Sequence, residues 1–452
     1  MSTFQILRLI TGAFLAASLA PLGSSSIAVA VPLIAESVGT NVTLVTRLLV
    51  GGYLLICIVG QVPGGRFADR WGTSTAIYTG LGIYAFGSVL GFFVHDLVSL
   101  TVSRMLMALG VAIVVPASTA TLRTRLPPRF MAMAFGIYGT SMSAAATLGP
   151  WLGALIAGHL HWRYIFAVNI PIVLLAAVLI FTSVARSDDS GKNVPGKVLP
   201  FDWTGMALLT AAIVSMQLCL DPSGQLWLLG PVALVLFWMF VLQERRHVAP
   251  LIAPALLAQG NYAACCSITG LNNFIMYAVL FQTPIVLMAF WDVDTVMVGN
   301  LLLAMTLGMM INGLLAGFIL PRLGPRRALW SAQLLTLAGL FLLAATDPGG
   351  DLTTMIGGMV CLGLGVGMTM AVSQSTALAV IPKQSAGTAS GTFNTARYLG
   401  GAVGIAVMGL VLAGSHSTHW PAHQMLYGIH ALVCLLVCGA TLWVPSRFVV
   451  AD

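Results

Sequence analysis

Three basic side chains, those of Arg104, Arg397 and His430, lie within long apolar runs of this sequence. An unperturbed imidazole titrates near neutral pH, so His430 has the chemistry of a proton carrier, although a hydrogen-bonded packing histidine is the commoner alternative. A guanidinium keeps its charge at physiological pH and must face protein or water if its run lies in lipid. These residues therefore point to proton exchange and to buried charge at membrane depth.

A carboxylate with a different role is Asp69, in the segment Gly65–Gly72, which reads GRFADRWG. Gly65 and Gly72 are predicted to permit close turns. Asp69 is predicted to lie at the positive N-terminal end of a neighbouring helix and to pair with an arginine; Arg70 follows it directly. The segment predicts a conformational latch, and the alternative is a basic loop that only sets topology.

Enzymatic chemistry has no matching arrangement in the sequence. Neither a Ser/His/Asp set nor an intramembrane His/Glu metal set is apparent. The seven cysteines lie in apolar runs without the spacing of metal ligands. His416, His419 and His423 share one predicted loop, where a solvated loop is favoured over a metal site. The sequence predicts no catalytic residue, cofactor or metal.

The surrounding chain is unusually apolar. Of its 452 residues 58% are hydrophobic and 7% charged, with a mean hydropathy of +0.96, whereas soluble domains carry about 25% charged residues. Apolar runs of about 20 residues, enough to cross a ~30 Å hydrocarbon core as helices, alternate with short polar segments. We predict an all-α polytopic membrane protein with fourteen transmembrane helices.

The apolar runs divide into two groups of six with two more between them. Residues 1–185 are predicted to form an N-terminal six-helix bundle and residues 246–452 a C-terminal six-helix bundle. The polar residues 186–200 form a predicted cytoplasmic linker, and residues 201–245 form two inserted transmembrane helices.

Internal repeats relate the two groups. Gly65–Gly72 recurs 252 positions later as Gly317–Gly324, and Leu109–Val111 recurs 255 positions later as Leu364–Val366. Two further pairs at the offset of 255 are Gly136 with Gly391 and Gly149 with Gly404. Two inserted crossings restore the starting side of the membrane, so the repeats are predicted to be parallel, around an axis along the membrane normal.

Basic residues set the predicted orientation. With both termini cytoplasmic, Arg47 and Arg163 flank external loops and Arg104 and Arg397 lie within spans, which leaves 16 of the 20 basic residues on the cytoplasmic side. The net charge of +7 is therefore explained by topology, and no basic stripe for nucleic acid is predicted.

With this architecture the sequence resembles the major facilitator superfamily, and specifically its fourteen-helix drug:proton antiporter branch of multidrug efflux transporters. The resemblance rests on Gly65–Gly72, on the spaced glycines Gly136, Gly149 and Gly153 with Pro150, and on branch markers at Trp162–Pro171 and Phe201–Gly205. Pro150 is expected to bend its helix, and the glycines to permit close helix packing.

The resemblance implies a secondary transporter in the cell membrane, the inner membrane in a bacterium, that exports small apolar or amphiphilic molecules by alternating access and proton antiport. Arg104 matches the family's helix-four arginine, linked there to proton coupling, with an anchor to backbone carbonyls as the alternative. Asn394 and Arg397 resemble a frequent branch sequence in helix eleven, with a role in packing and contact between halves. A periplasmic adaptor partner is left open.

Several positions depart from the family pattern. Helix one usually carries an aspartate and an asparagine, where this chain has Gly23 and Ala28, and the glutamine and glycine that usually follow Arg104 are Met107 and Ala108. No acidic residue is left for the middle of a span. Two alternatives therefore stay open: a proton-independent facilitator or metabolite exporter of the same fold, and a non-transporting membrane receptor or assembly subunit.

Overall fold

A computed structural model describes the protein at residues 3–40, 42–184, 202–219, 228–247, 250, 254–293, 295–382, 385–413 and 420–447. The described residues form helices and connecting turns, without a β-strand among them. This agrees with the predicted class, because a helix in lipid satisfies its backbone hydrogen bonds internally. The predicted linker 186–200 lies outside the described residues.

The N-terminal half is a bundle in which α1 packs against the sixth and eighth helices. Its helices are α1 (Thr3–Val38), α2 (Val42–Val45), α3 (Gly52–Trp71), α4 (Thr73–Phe93), α5 (Leu97–Arg125), α6 (Pro128–His159), α7 (Tyr164–Ala167) and α8 (Asn169–Val184). A π-helical turn, Thr46–Gly51, joins α2 to α3. At the start of α5, Asp96 accepts a hydrogen bond of 2.9 Å from the Ser99 amide, which holds the pKa of the Asp96 carboxyl below its usual value.

The rest of the described chain contains an inserted pair of helices and a second bundle. The inserted pair is α9 (Trp203–Cys219) and α10 (Leu229–Arg246). The second bundle contains α11 (Pro254–Leu257), α12 (Gly260–Trp291), α13 (Thr295–Leu323), α14 (Pro325–Ala344), α15 (Thr353–Ala379), α16 (Ala386–Ala413) and α17 (Trp420–Ala440).

Eleven helical segments in the described part of the chain are long and apolar enough to cross a membrane. This establishes a multi-pass membrane protein. The other three predicted spans coincide with α6, α9 and α10, of 32, 17 and 18 residues. The total of fourteen remains a prediction.

The sequence repeat corresponds to repeated packing. Gly110 lets α5 approach α4, because a Cβ on it would lie 2.7 Å from the Tyr84 nitrogen; Gly365 does the same for α15 and α14, with 2.7 Å to the Thr336 nitrogen. The connections after α3 and α13 are also alike. Each turns at a glycine with positive φ, Gly72 at 90° and Gly324 at 76°, a conformation that glycine adopts without a steric penalty.

The two halves meet along helices from both bundles. α3 packs against α16, α5 against α16, and α6 against both α13 and α15. Close approach needs small residues: a Cβ on Gly317 of α13 would lie 3.0 Å from the Met133 Cα of α6, and one on Gly139 of α6 would lie 3.3 Å from the Ala371 Cα of α15. Any functional site between the halves is therefore lined by these helices.

Candidate functional site

The Asp69 carboxylate binds the first turn of α16, a helix of the other half. Its Oδ1 accepts the Gly387 amide at 2.8 Å, and its Oδ2 accepts the Thr388 amide at 2.8 Å and the Thr388 hydroxyl at 2.7 Å. The first amides of a helix have no intrahelical partner and carry the positive end of the helix dipole. The carboxylate at the end of α3 therefore caps a helix across the interface.

The position of Gly65 corrects one sequence prediction. Gly65 lies inside α3 and not in a close turn; only Gly72 leaves the helix, with a φ of 90°. Gly65 instead lets two backbones touch, because a Cβ on it would meet the Gly387 carbonyl. The Arg70 guanidinium lies 4.5 Å over the Trp71 ring, and the charge that interacts with Asp69 is that of Arg66.

The second copy of the segment makes a different contact. It has Pro321 in place of the aspartate. A Cβ on Gly324 would meet the Ser446 carbonyl, and the Arg326 Nε donates to the Val444 carbonyl at 2.9 Å. This copy therefore binds the segment after α17, within its own half, and the cross-half cap of Asp69 has no counterpart there.

Arg123, which the sequence pattern marks only as a topology charge, also crosses the interface. Its side chain is 2% exposed. Nε donates to the Leu378 carbonyl at 2.9 Å, and Nη2 to those of Ala379 at 3.3 Å and Ile381 at 2.9 Å. These carbonyls lie at the C-terminal, negative end of α15. Arg123 and Asp69 thus bind the two ends of the same α15–α16 connection with opposite charges.

The inserted helices reach the same side of the bundle. Asp202 begins α9 and accepts the Gly205 amide at 2.7 Å and the Gln243 amide at 3.2 Å. The Arg66 charge interacts with Asp202 and Glu244 as well as with Asp69. The branch marker around Asp202 therefore has a local structural function, and Arg66 links it to the end of α3.

The glycines of α6 pack against α1. A Cβ on Gly149 would meet the Ser25 hydroxyl and lie 3.0 Å from the Ser26 nitrogen, and a Cβ on Gly153 would meet the Ser26 carbonyl. Pro150 lies inside α6. The surroundings of Gly136 are outside the part of the chain that the structure describes.

Arg104 is held within the N-terminal half. It is 1% exposed, its Nε donates to the Leu49 carbonyl in the π-helical turn at 3.1 Å, and its Cζ lies 4.2 Å over the Tyr53 ring. Gly23, at the position where the family usually has an aspartate, leaves room for tyrosine: a Cβ there would lie 2.7 Å from the Tyr84 hydroxyl oxygen. The described contacts of Arg104 are therefore a backbone carbonyl and the Tyr53 ring, in a chain that lacks the family's usual helix-one carboxylate.

His430 lies in the C-terminal half, away from Arg104. It is fully buried, with its ring 6.0 Å from that of Phe274 and 6.5 Å from that of Tyr427. Both ring nitrogens lack a hydrogen-bond partner among the described residues. The hydrogen-bonded packing role considered above is therefore not what these residues show.

Asn394 and Arg397 lie on α16 at the interface. The Asn394 amide donates to the Ser390 carbonyl at 2.8 Å, and Ser390 in turn hydrogen-bonds to Thr119 of α5. Directly after Asn394, the Thr395 hydroxyl donates to the Ile58 carbonyl of α3 at 3.1 Å. The α16 helix is thereby bonded to two helices of the other half.

Three helices, α3, α12 and α15, each carry a buried amide side chain. Gln61, Asn272 and Gln374 are at most 1% exposed, and within the described chain neither polar atom of any of these side chains has a partner. Asn272 and Gln374 lie beside a hydrogen bond of 2.8 Å between Thr269 and Ser373. Buried amides without a partner cost free energy, so these side chains are candidates for contact with water or a polar ligand.

Metal-ligating side chains do not cluster in the described part of the chain. The described residues contain no group of three His, Cys, Asp or Glu side chains suited to a metal ion. His423 lies 3.3 Å from the Gln282 amide nitrogen, whereas His416 and His419 lie outside the described residues.

We predict that Gly149→Leu lowers thermal stability. The added side chain must enter the space between α6 and α1, and overpacking of this kind costs about 1–3 kcal/mol. The measurement is the unfolding temperature of the detergent-purified protein. Gly158→Leu is the matched control in the same helix, because a Cβ on Gly158 would have no atom within 4 Å. Equal unfolding temperatures for the two variants would contradict a tight α6–α1 interface.

Comparison with known proteins agrees with this geometry. The model of the Major Facilitator Superfamily matches residues 13–405. The tetracenomycin C resistance and export protein of Streptomyces glaucescens is 30% identical over 404 residues, covering 87% of this chain and 73% of that protein. The puromycin resistance protein pur8 of Streptomyces alboniger is 29% identical over 390 residues, covering 83% and 74%.

Solved structures share the fold. The proton:xylose symporter XylE superposes with a TM-score of 0.72 at 14% identity, covering 100% of this chain and 98% of that one. The human organic anion transporter MFSD10 gives a TM-score of 0.66 at 16% identity, with coverages of 97% and 100%. The two repeated bundles, the cap across their interface and these matches together show that the chain belongs to the major facilitator superfamily.

Proposed function

We propose that the protein exports small apolar or amphiphilic molecules across a cell membrane by alternating access. The observation that carries this proposal is the Asp69 cap, a set of three hydrogen bonds between the halves at the exposed edge of the bundle. Water can replace such bonds there when the halves separate. The relatives support export, since their names describe tetracenomycin C export and puromycin resistance.

We also propose the fourteen-helix architecture of the drug:proton antiporter branch. At about 1.5 Å per residue, the 17 and 18 residues of α9 and α10 approach the ~30 Å hydrocarbon core. Basic residues at the ends of α5 and α10 favour a cytoplasmic location for that side and for both termini. In a bacterial host this places the protein in the inner membrane.

In this arrangement the cytoplasmic side is closed. Opening it requires the release of Asp69 from α16, of Arg123 from the end of α15 and of Thr395 from α3. The described residues of the second half show no cap that matches Asp69, so the proposed latch depends on the first copy of the segment. We propose Gly65, Asp69, Arg70 and Gly72 as its residues, together with Arg123.

We predict that Asp69→Asn slows transport while membrane insertion stays normal. The substitution removes the charge that interacts with the α16 dipole and leaves one acceptor oxygen, so the closed cytoplasmic state should lose about tenfold in population. The measurement is the rate of substrate exchange by purified protein in liposomes. Asp96→Asn is the control, because Asp96 caps a helix of its own half. Identical exchange rates for Asp69→Asn and wild type would contradict the proposal that Asp69 acts as a latch.

We further predict that permanent cations are poor substrates. In the described residues the buried carboxylates are Asp202 and Glu244, both at the cytoplasmic side, whereas Arg104 and Arg397 are buried within spans. An unpaired ion in this environment costs several kcal/mol, and a cation–π contact returns only about 0.5–2 kcal/mol.

The test is counterflow in liposomes with naphthamide, naphthoate and a quaternary ammonium dye of similar size. We expect saturable exchange of the neutral or anionic compound. Exchange of the quaternary ammonium dye alone would contradict the charge preference. If no compound in a broad panel shows counterflow, the result would instead favour a non-transporting receptor or assembly subunit.

Proton antiport is proposed with Arg104 and His430 as candidate residues; the alternative is a proton-independent facilitator, which the missing mid-span carboxylate favours. For antiport, an imposed pH gradient should drive neutral naphthamide toward the acidic side of the liposome membrane. His430→Gln should abolish this accumulation and preserve counterflow. Counterflow that persists without any response to the gradient would establish the facilitator.

A further inference from the structure

Three buried arginines of the described chain differ in how their charge is accommodated. Arg104, Arg123 and Arg397 are 1%, 2% and 3% exposed. A guanidinium has five N–H donors, and burial is costly for each donor that remains unpaired. The partners of these donors therefore indicate whether an arginine is a structural anchor or awaits a ligand.

Arg123 is a structural anchor, because three backbone carbonyls accept from its guanidinium. Arg104 is anchored within one half by the Leu49 carbonyl and by the face of Tyr53. Both arginines therefore have protein groups that compensate their burial, although the Arg104 Nη2 is without a partner among the described residues.

Arg397 differs from both in that its described hydrogen-bond partner lies on its own helix. Its Nη2 donates to the hydroxyl of Tyr398, the next residue along the helix, at 3.3 Å, and its Cζ lies 4.9 Å from that ring. Its Nη1 is buried without a hydrogen-bond partner in the described part of the chain. The contact with Tyr398, the adjacent residue of the same helix, does not explain why a charged side chain is present at this position.

The surroundings of Arg397 come from both halves. Two residues before it on α16, the Thr395 hydroxyl donates to the Ile58 carbonyl of α3 at 3.1 Å, which brings a helix of the other half to this stretch of α16. Gly401 lies one turn after Arg397 on α16 and leaves room for the Tyr277 ring of α12, since a Cβ on Gly401 would lie 2.7 Å from that ring. The site thus combines a positive charge with aromatic surfaces, and it lies where the two halves meet.

We propose that Arg397 binds the anionic group of a transported aromatic carboxylate, with Tyr277 contacting its apolar body. This inference rests on the proposed function. A carboxylate can accept two parallel N–H bonds from one guanidinium and would use the unpartnered Nη1. Since α3, α12 and α16 all reach this site, a bound anion would contact both halves and could couple its binding to their relative position.

The primary experiment is direct binding to purified, detergent-solubilised protein, followed by tryptophan fluorescence. The probes are naphthoate and isosteric, uncharged naphthamide. We expect Arg397→Gln to weaken naphthoate binding at least about tenfold, the value of a charge-assisted hydrogen bond, and to leave naphthamide binding within about twofold. Arg397→Lys should give an intermediate loss, because lysine keeps the charge without the planar fork.

Arg8→Gln is the matched control, since Arg8 carries the same charge and lies over a ring, that of Phe4 at 4.0 Å, near the start of α1. Its naphthoate affinity should equal that of the wild type. Equal weakening of both probes in Arg397→Gln would make Arg397 a structural residue and overturn the proposal, as would unchanged naphthoate affinity. Comparing unfolding temperatures excludes a folding defect as the cause.

Transport separates this proposal from the proposed function. In liposomes, Arg397→Gln should raise the KM for naphthoate by a similar factor and leave the KM for naphthamide unchanged. Naphthoate binding that depends on Arg397 without any counterflow would support the anion site and reject export. Counterflow of naphthamide with no effect of Arg397→Gln on naphthoate would support export and reject the anion site.

Discussion

Charged side chains between the two halves are compensated by helix ends, and this pairing organises the interface. Asp69 caps the start of α16 and Arg123 caps the end of α15, so each charge is compensated by a helix terminus of the other half. Neither contact needs an ion pair. Helix dipoles and unpaired backbone groups can therefore hold the two halves together at this end of the interface.

The two copies of the sequence repeat resemble each other more in helix packing than in their contacts across the interface. Gly110 and Gly365 pack equivalent helix pairs, and Gly149 and Gly404 press against the first long helix of their own bundles. By contrast, Asp69 crosses the interface, whereas its repeat position is Pro321 and the neighbouring Gly324 binds the chain after α17. Packing is shared between the copies because close helix approach needs small residues in both, while only one copy supplies a charge that crosses the interface.

The unusual first helix has a consistent structural explanation. Gly23 gives the Tyr84 hydroxyl its space, and Tyr53 lies beneath the Arg104 guanidinium. Arg104 is thus stabilised without the family's helix-one carboxylate. Its burial alone therefore does not indicate a role in proton coupling. Arg397 also has a buried nitrogen without a partner in the described chain, and its hydrogen bond goes to the next residue of its own helix.

The sequence by itself determined the helical membrane class, the repeat and the family, because apolar run length and glycine spacing are local properties that lipid constrains strongly. It also identified Asp69 and the α6 glycines. It did not distinguish Arg123 from other loop charges, and it placed Gly65 in a turn, because both depend on which helix of the other half lies opposite. Only the tertiary structure decided that Arg123 has three carbonyl partners and Arg397 an unpaired nitrogen, since hydrogen-bond partners separated by hundreds of residues leave no local pattern.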